Sequence, residues 1–353
     1  MSRKKSRTIV AAVIGGLAIS TLGAGGTAWA GGVASPPSVE PRSVVTLPQQ
    51  HAAHRAAVWL ASKVNAKGYV TFSGNPDVSD TTLTVLALAA AGGERHTALR
   101  ALDYLKSHVT TYVNAGGHDG AGQLATLILD AHSLDESPTS FGGTNLVKRL
   151  LKTMRTTGHD AGLFGVQDPT YDGAYRQGLA LAALAAAGVR ATTQLAPAIS
   201  WLQRQQCANG GWESYRASTT AACPPSDPAT YTGPDTNSTA LAVQGLVARR
   251  AKTHHNPVSF FKALQSADGG WGYYGGTADP DSTALVIQAL VSLHDSVSST
   301  TFRKGSKDPA SALLAFQLAG GAFYYPAAGS PKTASGLATE QAAPALMSKA
   351  YPF

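Results

Sequence analysis

Four aspartates open four apolar runs of this sequence: Asp119, Asp172, Asp235 and Asp281, with Asp279 two positions ahead of the last. Tyrosines gather near the same stretches, at Tyr171, Tyr175, Tyr231, Tyr273, Tyr274, Tyr324 and Tyr325. Carboxyl pairs beside aromatic stacking surfaces are the parts of glycoside hydrolysis, one acid protonating the leaving oxygen and the other acting as base or nucleophile. Aspartate is also a common helix cap, because its side chain accepts the bare amides of the first turn. The pattern alone therefore fixes no catalytic pair. No GxSxG elbow, P-loop or HExxH occurs, so serine hydrolase, NTPase and zinc-protease chemistry have no support. The histidines are scattered; His118 stands out because it opens an apolar run beside Asp119, and no metal site is expected.

Only 14% of the 353 residues are charged, against about 25% in an ordinary soluble domain. Arg3, Lys4, Lys5 and Arg7 precede an apolar run over residues 8–27 that ends in Ala28-Trp29-Ala30. Basic, apolar and small-residue segments in that order predict a secretory signal peptide over residues 1–30. Four of the seven excess positive charges lie in it, which removes the case for nucleic-acid binding. No later apolar run reaches the roughly 18 residues of a membrane span, so the expected mature protein is secreted and extracellular. Residues 31–50, with Pro36, Pro37, Pro41 and Pro48, read as a linker ahead of one domain over residues 51–353. In an oxidising compartment the only two cysteines, Cys207 and Cys223, are expected to form a disulfide, worth about 3 kcal/mol by loop entropy.

Self-comparison reveals the architecture. Residues 237–247 and 281–291 are nearly the same text, NSTALAVQGLV and DSTALVIQALV. Residues 79–89, 120–134, 172–185 and 334–347 are looser copies. Each is apolar or small on almost every face, as an enclosed helix requires, and Asp281 or Asn237 would cap its copy. Between them lie amphipathic stretches at 51–64, 96–109, 145–154, 195–206, 256–265 and 308–317. Six enclosed helices alternating with six half-exposed ones predict an all-α fold, an α/α toroid of six helix pairs; an open solenoid is the competitor.

Three of the outer stretches end in Gln, a glycine turn and an aromatic ring: Gln206 to Trp212, Gln265 to Trp271 and Gln317 to Phe323. These resemble the QW repeats of the terpenoid cyclase and protein prenyltransferase superfamily, over roughly residues 51–353. The resemblance implies the toroid and a fastening role for those six residues. Within the superfamily, Gly269-GWGYY, the following DPDSTALVIQAL and the closing ATEQAAPALMSKAY are similar to the helical domain of the transcobalamin and intrinsic-factor group and its secreted bacterial relatives. That likeness implies a small apolar or ring-shaped ligand, with cobalamin or another corrinoid as the named candidate. Such carriers grip the corrin with a second β domain, which here would come from a separate protein. Expected ligand contacts are Tyr175, Tyr273, Tyr274, Tyr324, Tyr325 and Asp235, with Gln244, Gln288 and Gln341 at equivalent positions of their copies.

Asp279-Pro280-Asp281-Ser282 also resembles the DxDD motif of class II terpene cyclases, with Ser282 at the last acidic place. The resemblance implies Asp281 as proton donor and Asp279 as its modulator. The zinc site of prenyltransferases is not reproduced by Cys207 or Cys223. A binder, a cyclase-like enzyme, and a secreted glycan-active or surface interaction module remain as expectations.

Overall fold

The computed structural model describes residues 45–353 except 73–74, 116, 166–171, 192, 296–297, 299 and 328. The expected signal peptide, the linker as far as residue 44, and Tyr171 lie outside the described residues. Twelve α-helices form among the described residues. The outer set is α1 (Leu47–Ala61), α3 (Arg95–Val113), α5 (Leu146–Lys152), α7 (Ala196–Arg204), α9 (Pro257–Leu264) and α11 (Pro309–Leu314). The inner set is α2 (Val78–Ala91), α4 (Ala121–Ser133), α6 (Ala174–Ala186), α8 (Thr236–Ala248), α10 (Pro280–Ser292) and α12 (Gly336–Leu346). All six copies found in the sequence are inner helices.

The inner helices pack in sequence, α2 on α4, then α6, α8, α10 and α12, and α12 returns to α2, which closes the ring. The open solenoid is thereby excluded. α8 and α10 bury nearly every residue, as their lack of a polar face demands. The closest approach is between α6 and α8. A Cβ at Gly178 would lie 2.1 Å from the Leu241 carbonyl oxygen, and one at Gly245 would lie 2.3 Å from the Gly178 carbonyl oxygen. Glycine at both places lets the two backbones touch.

The linker is shorter than expected, since α1 starts at Leu47. Thr46 caps it and Pro48 occupies its first turn, where a missing amide costs nothing. Three two-stranded ribbons are too short to leave a period-two pattern in the sequence: β1 (Val70–Phe72) with β2 (Asn75–Asp77), β3 (Asn114–Ala115) with β4 (His118–Asp119), and β5 (Phe323–Tyr324) with β6 (Ala334–Ser335). Each leads the chain into an inner helix. The cysteines are joined as expected, with Cα atoms 5.8 Å apart, pinning the loop after α7.

The caps differ from expectation by two residues. Asp235 and Asp279, not Asn237 and Asp281, accept the amides of Ser238 and Ser282 at 2.6 and 2.7 Å. Pro280 explains the offset in α10, because its fixed φ suits the first helical position. Four residues past each cap stands a threonine whose hydroxyl accepts an incoming amide: Val70 on Thr81, Trp212 on Thr239, Trp271 on Thr283 and Phe323 on Thr339, at 2.9–3.0 Å. In α6 the same place holds Gln177, which accepts the Phe164 amide and donates to the Gly162 and Ala198 carbonyls.

The Gln-turn-aromatic units fasten each outer helix to the next. Gln206 accepts the amides of His254 and His255 and donates to the carbonyls of Gly210 and His255. Gln265 donates to Gly269 and to Phe302, ahead of α11. Gln317 donates to Gly321 and to Ala52 of α1, and accepts from Arg55, so the third copy forms the closing joint. The indoles of Trp212 and Trp271 donate to Leu202 and Phe261 at 2.7 Å.

Candidate functional site

A cavity of about 320 Å³ occupies the axis of the ring, and all six inner helices contribute to its lining. Leu83 and Leu86 of α2, Leu179 of α6, Leu241 of α8 and Leu285 of α10 give it an apolar wall. Polar groups enter from Gln123, Arg176, Gln288, Glu340 and Gln341, and hydroxyls from Tyr112, Tyr175 and Tyr351. A mostly apolar pocket with a few placed polar groups is the usual form of a small-molecule site.

One end of this lumen is floored by residues 348–353, which lie against Val247, Val291 and His294 beyond the C-terminal parts of α8 and α10. The Tyr351 amide donates to Gln244 at 2.9 Å, and Gln288 donates to the Lys349 carbonyl at 3.0 Å. Tyr351 stacks on Phe353 while also lining the lumen. The three equivalent glutamines thus divide. Gln244 holds the floor and does not line the lumen; Gln288 does both; Gln341 lines the lumen with its Oε1 unbonded.

Several carboxyls sit in dry surroundings. Glu340 of α12 is 3% exposed; its Oε1 accepts the Thr84 hydroxyl at 2.8 Å and its Oε2 has no partner. Burial, reinforced by Asp80, holds its carboxyl well above the usual range. Asp130 of α4 is fully buried with neither oxygen bonded, and burial alone raises it strongly. Asp281, in the first turn of α10, has an unbonded Oδ1; burial and then Asp279 push it up to about 7. Burial lifts Asp235 to about 7 against the pull of the amides it caps. Tyr175 rises to about 12 by burial, with Asp281 and Asp235 adding to it.

The four helix-opening aspartates do not converge as a set. Asp119 is gripped by Arg149 of α5, which lowers its pKa, and Asp172 lies 3.5 Å from Arg176. Asp235 and Asp281 both act on Tyr175. The tyrosines also separate. Tyr231, Tyr273, Tyr274 and Tyr325 line a cleft of about 510 Å³ together with Asp279, with Tyr273 and Tyr274 edge to face at 4.6 Å. Tyr324 instead packs on Phe316 with Lys332 over its ring. Of this adjacent pair, Tyr325 is the one that lines the cleft. Cys207, Glu213 and Cys223 have ligand atoms within 4.8 Å of one another, but the S–S bond consumes both sulfurs. His118 is exposed on β4.

Glu340, Asp130, Tyr112 and Tyr351 were not singled out by the sequence. For Asp130 the available signal was an acid inside an otherwise apolar run, Leu129-Asp130-Ala131; Glu340, between Thr339 and Gln341, carries no such mark.

No family model and no curated protein matches the chain. Solved structures do. The apo type II terpene cyclase MstE from Scytonema is 14% identical, with 86% of this chain and 98% of that one aligned and a TM-score of 0.56. The GH76A α-1,6-mannanase of Salegentibacter sp. HEL1_6 is 10% identical over 85% and 98% of the two chains, with a TM-score of 0.57. A protein geranylgeranyltransferase-I from Candida albicans is 11% identical over 83% and 90%, with a TM-score of 0.53. These establish the fold, an α/α toroid. They lend nothing to the transcobalamin group as nearest relative.

Proposed function

We propose that this toroid is a secreted binder of a small, largely apolar molecule held in its lumen. The observation that carries the reading is one axial cavity into which all six inner helices send residues, five leucines among them. The test is calorimetric titration with small apolar probes against the wild type and Leu285→Trp, which fills the lumen. Binding by the wild type and its loss in a folded Leu285→Trp variant are expected. Binding that survives in Leu285→Trp places the ligand elsewhere.

A cavity of about 320 Å³ is at the lower end of ligand pockets and is small for a corrin macrocycle. A corrinoid would instead lie on the cleft of Tyr273, Tyr274 and Tyr325, covered by a separate β-domain protein. Titration with cobalamin, followed by corrin absorbance, tests this; an unchanged spectrum removes it.

A second reading, acid catalysis at Asp281, is favoured by its buried, unpartnered Oδ1 and its pKa of about 7. Such a carboxyl keeps its proton near neutral pH and can deliver it to an alkene. Ser282, at the last place of the acidic motif, donates its hydroxyl to Asp279 at 2.9 Å. Conversion of a polyprenyl substrate, abolished in Asp281→Asn, would support this reading; absence of any product in the wild type would remove it. Glycan hydrolysis is disfavoured, because Asp119 and Asp172 are held in ion pairs with Arg149 and Arg176.

A further inference from the structure

Two acceptors of the lumen lack a partner. Glu340 offers an unpartnered Oε2 and Gln341 an unpartnered Oε1, both on α12 and both among the lining residues. Glu340 is 3% exposed, so no bulk water answers it. A buried acceptor without a partner is unfavourable, and Glu340 Oε2 is one at this point of the lumen. The one cation among the described lining residues, Arg176, lies 3.5 Å from Asp172. The charged and titratable groups around Glu340 are acidic: Asp77 and Asp80 at the start of α2, and Asp281 on α10. Tyr351, from the floor, also feels its charge. The facing hydroxyl, Thr84 of α2, already donates to the other oxygen.

We propose that the lumen is built for an apolar molecule with a cationic head, an ammonium or amidinium on a hydrocarbon body, with Glu340 as counter-ion and Gln341 as second acceptor. The leucines opposite receive the hydrocarbon. The head supplies the N–H donors that Glu340 Oε2 and Gln341 Oε1 lack, and its charge suits a site ringed by carboxyls. This rests on the lumen being the binding site. Burial raises the Glu340 carboxyl, and a cation seated against it favours the ionised form, so binding should draw that carboxyl back down.

The test is calorimetry of the full chain at pH 7 with three probes of one length: octylamine, octanol and octanoate. Octylamine is expected to bind at least about tenfold tighter than octanol, with octanoate weakest. In Glu340→Gln, which keeps the shape and the Thr84 bond, the amine-to-alcohol ratio should fall to about one. Should that variant fail to fold, the wild type still decides. Titrations in buffers of different ionisation enthalpy should show more proton release with octylamine than with octanol. Equal affinity for amine and alcohol overturns the cationic head and leaves lumen binding in place. A preference that persists in Glu340→Gln overturns the role of Glu340. Failure of all three probes overturns both readings.

Discussion

The joints of the outer wall and the lining of the lumen use the same kinds of residue to opposite ends. In the wall, Gln206 makes four hydrogen bonds and the indoles of Trp212 and Trp271 each reach a carbonyl, while Gln265 alone of the joint glutamines keeps an unbonded Oε1. In the lumen, Glu340 and Gln341 each leave an oxygen unanswered. A polar side chain satisfied within the chain reports on folding. One left bare in a dry cavity has a cost that only an added partner relieves.

The largest effect that separates the regions is expected from Trp271→Ala. It removes a fully buried ring and its bond to Phe261, and should cost about 3–5 kcal/mol by urea denaturation. Gln206→Ala should cost about 1–3 kcal/mol, because the carbonyls and amides at residues 210 and 254–255 lose their partner. A neutral outcome there would break the comparison. In the first turn of α10 the effect depends on pH. Asp281 is raised to about 7 in the folded state, so the folded protein holds a proton that the unfolded chain has released above about pH 4. Its stabilising share is complete below that value and is lost as pH rises through about 7. Thermal melts from pH 5 to 8 should therefore show a decline that is shallower in Asp281→Asn, by on the order of 1 kcal/mol. The smallest effect tests the two adjacent tyrosines. Tyr325→Ala, at an exposed ring, should stay within about 0.5 kcal/mol, whereas Tyr324→Ala, which strips a ring from Phe316, should exceed it.

The fold was legible because repetition is a property of text. Two nearly identical inner helices and three Gln-turn-aromatic units identify a repeating pair, and the alternation of enclosed and half-exposed helices follows. The site was only partly legible. Asp281 was found by its motif, but that Asp279 and not Asp281 caps the helix depends on where the first turn begins. The separation of Tyr324 from Tyr325 depends on where the ribbon ends, since Tyr324 is the last residue of β5 and Tyr325 lies beyond it. Glu340 lies in a run scanned for Gln341, yet which side of α12 faces Thr84 emerges only once α2 and α12 are packed together. Tyr351 becomes a floor residue because its amide donates to Gln244 and Gln288 donates to the carbonyl of nearby Lys349, both glutamines standing more than 60 positions upstream.

Closure of the ring also imposes an order of events. The alanines of α1, at 52, 53, 56 and 57, are almost wholly covered, and α1 lies between α12 and α2. A chain made from its N-terminus therefore presents the first helix long before the twelfth exists to cover it. Until then the growing structure is an arc with an exposed seam at each end. The bond from Gln317 to Ala52 belongs to the final stage of folding, so the lumen is a groove for most of the protein's assembly and becomes a chamber only when its two ends meet.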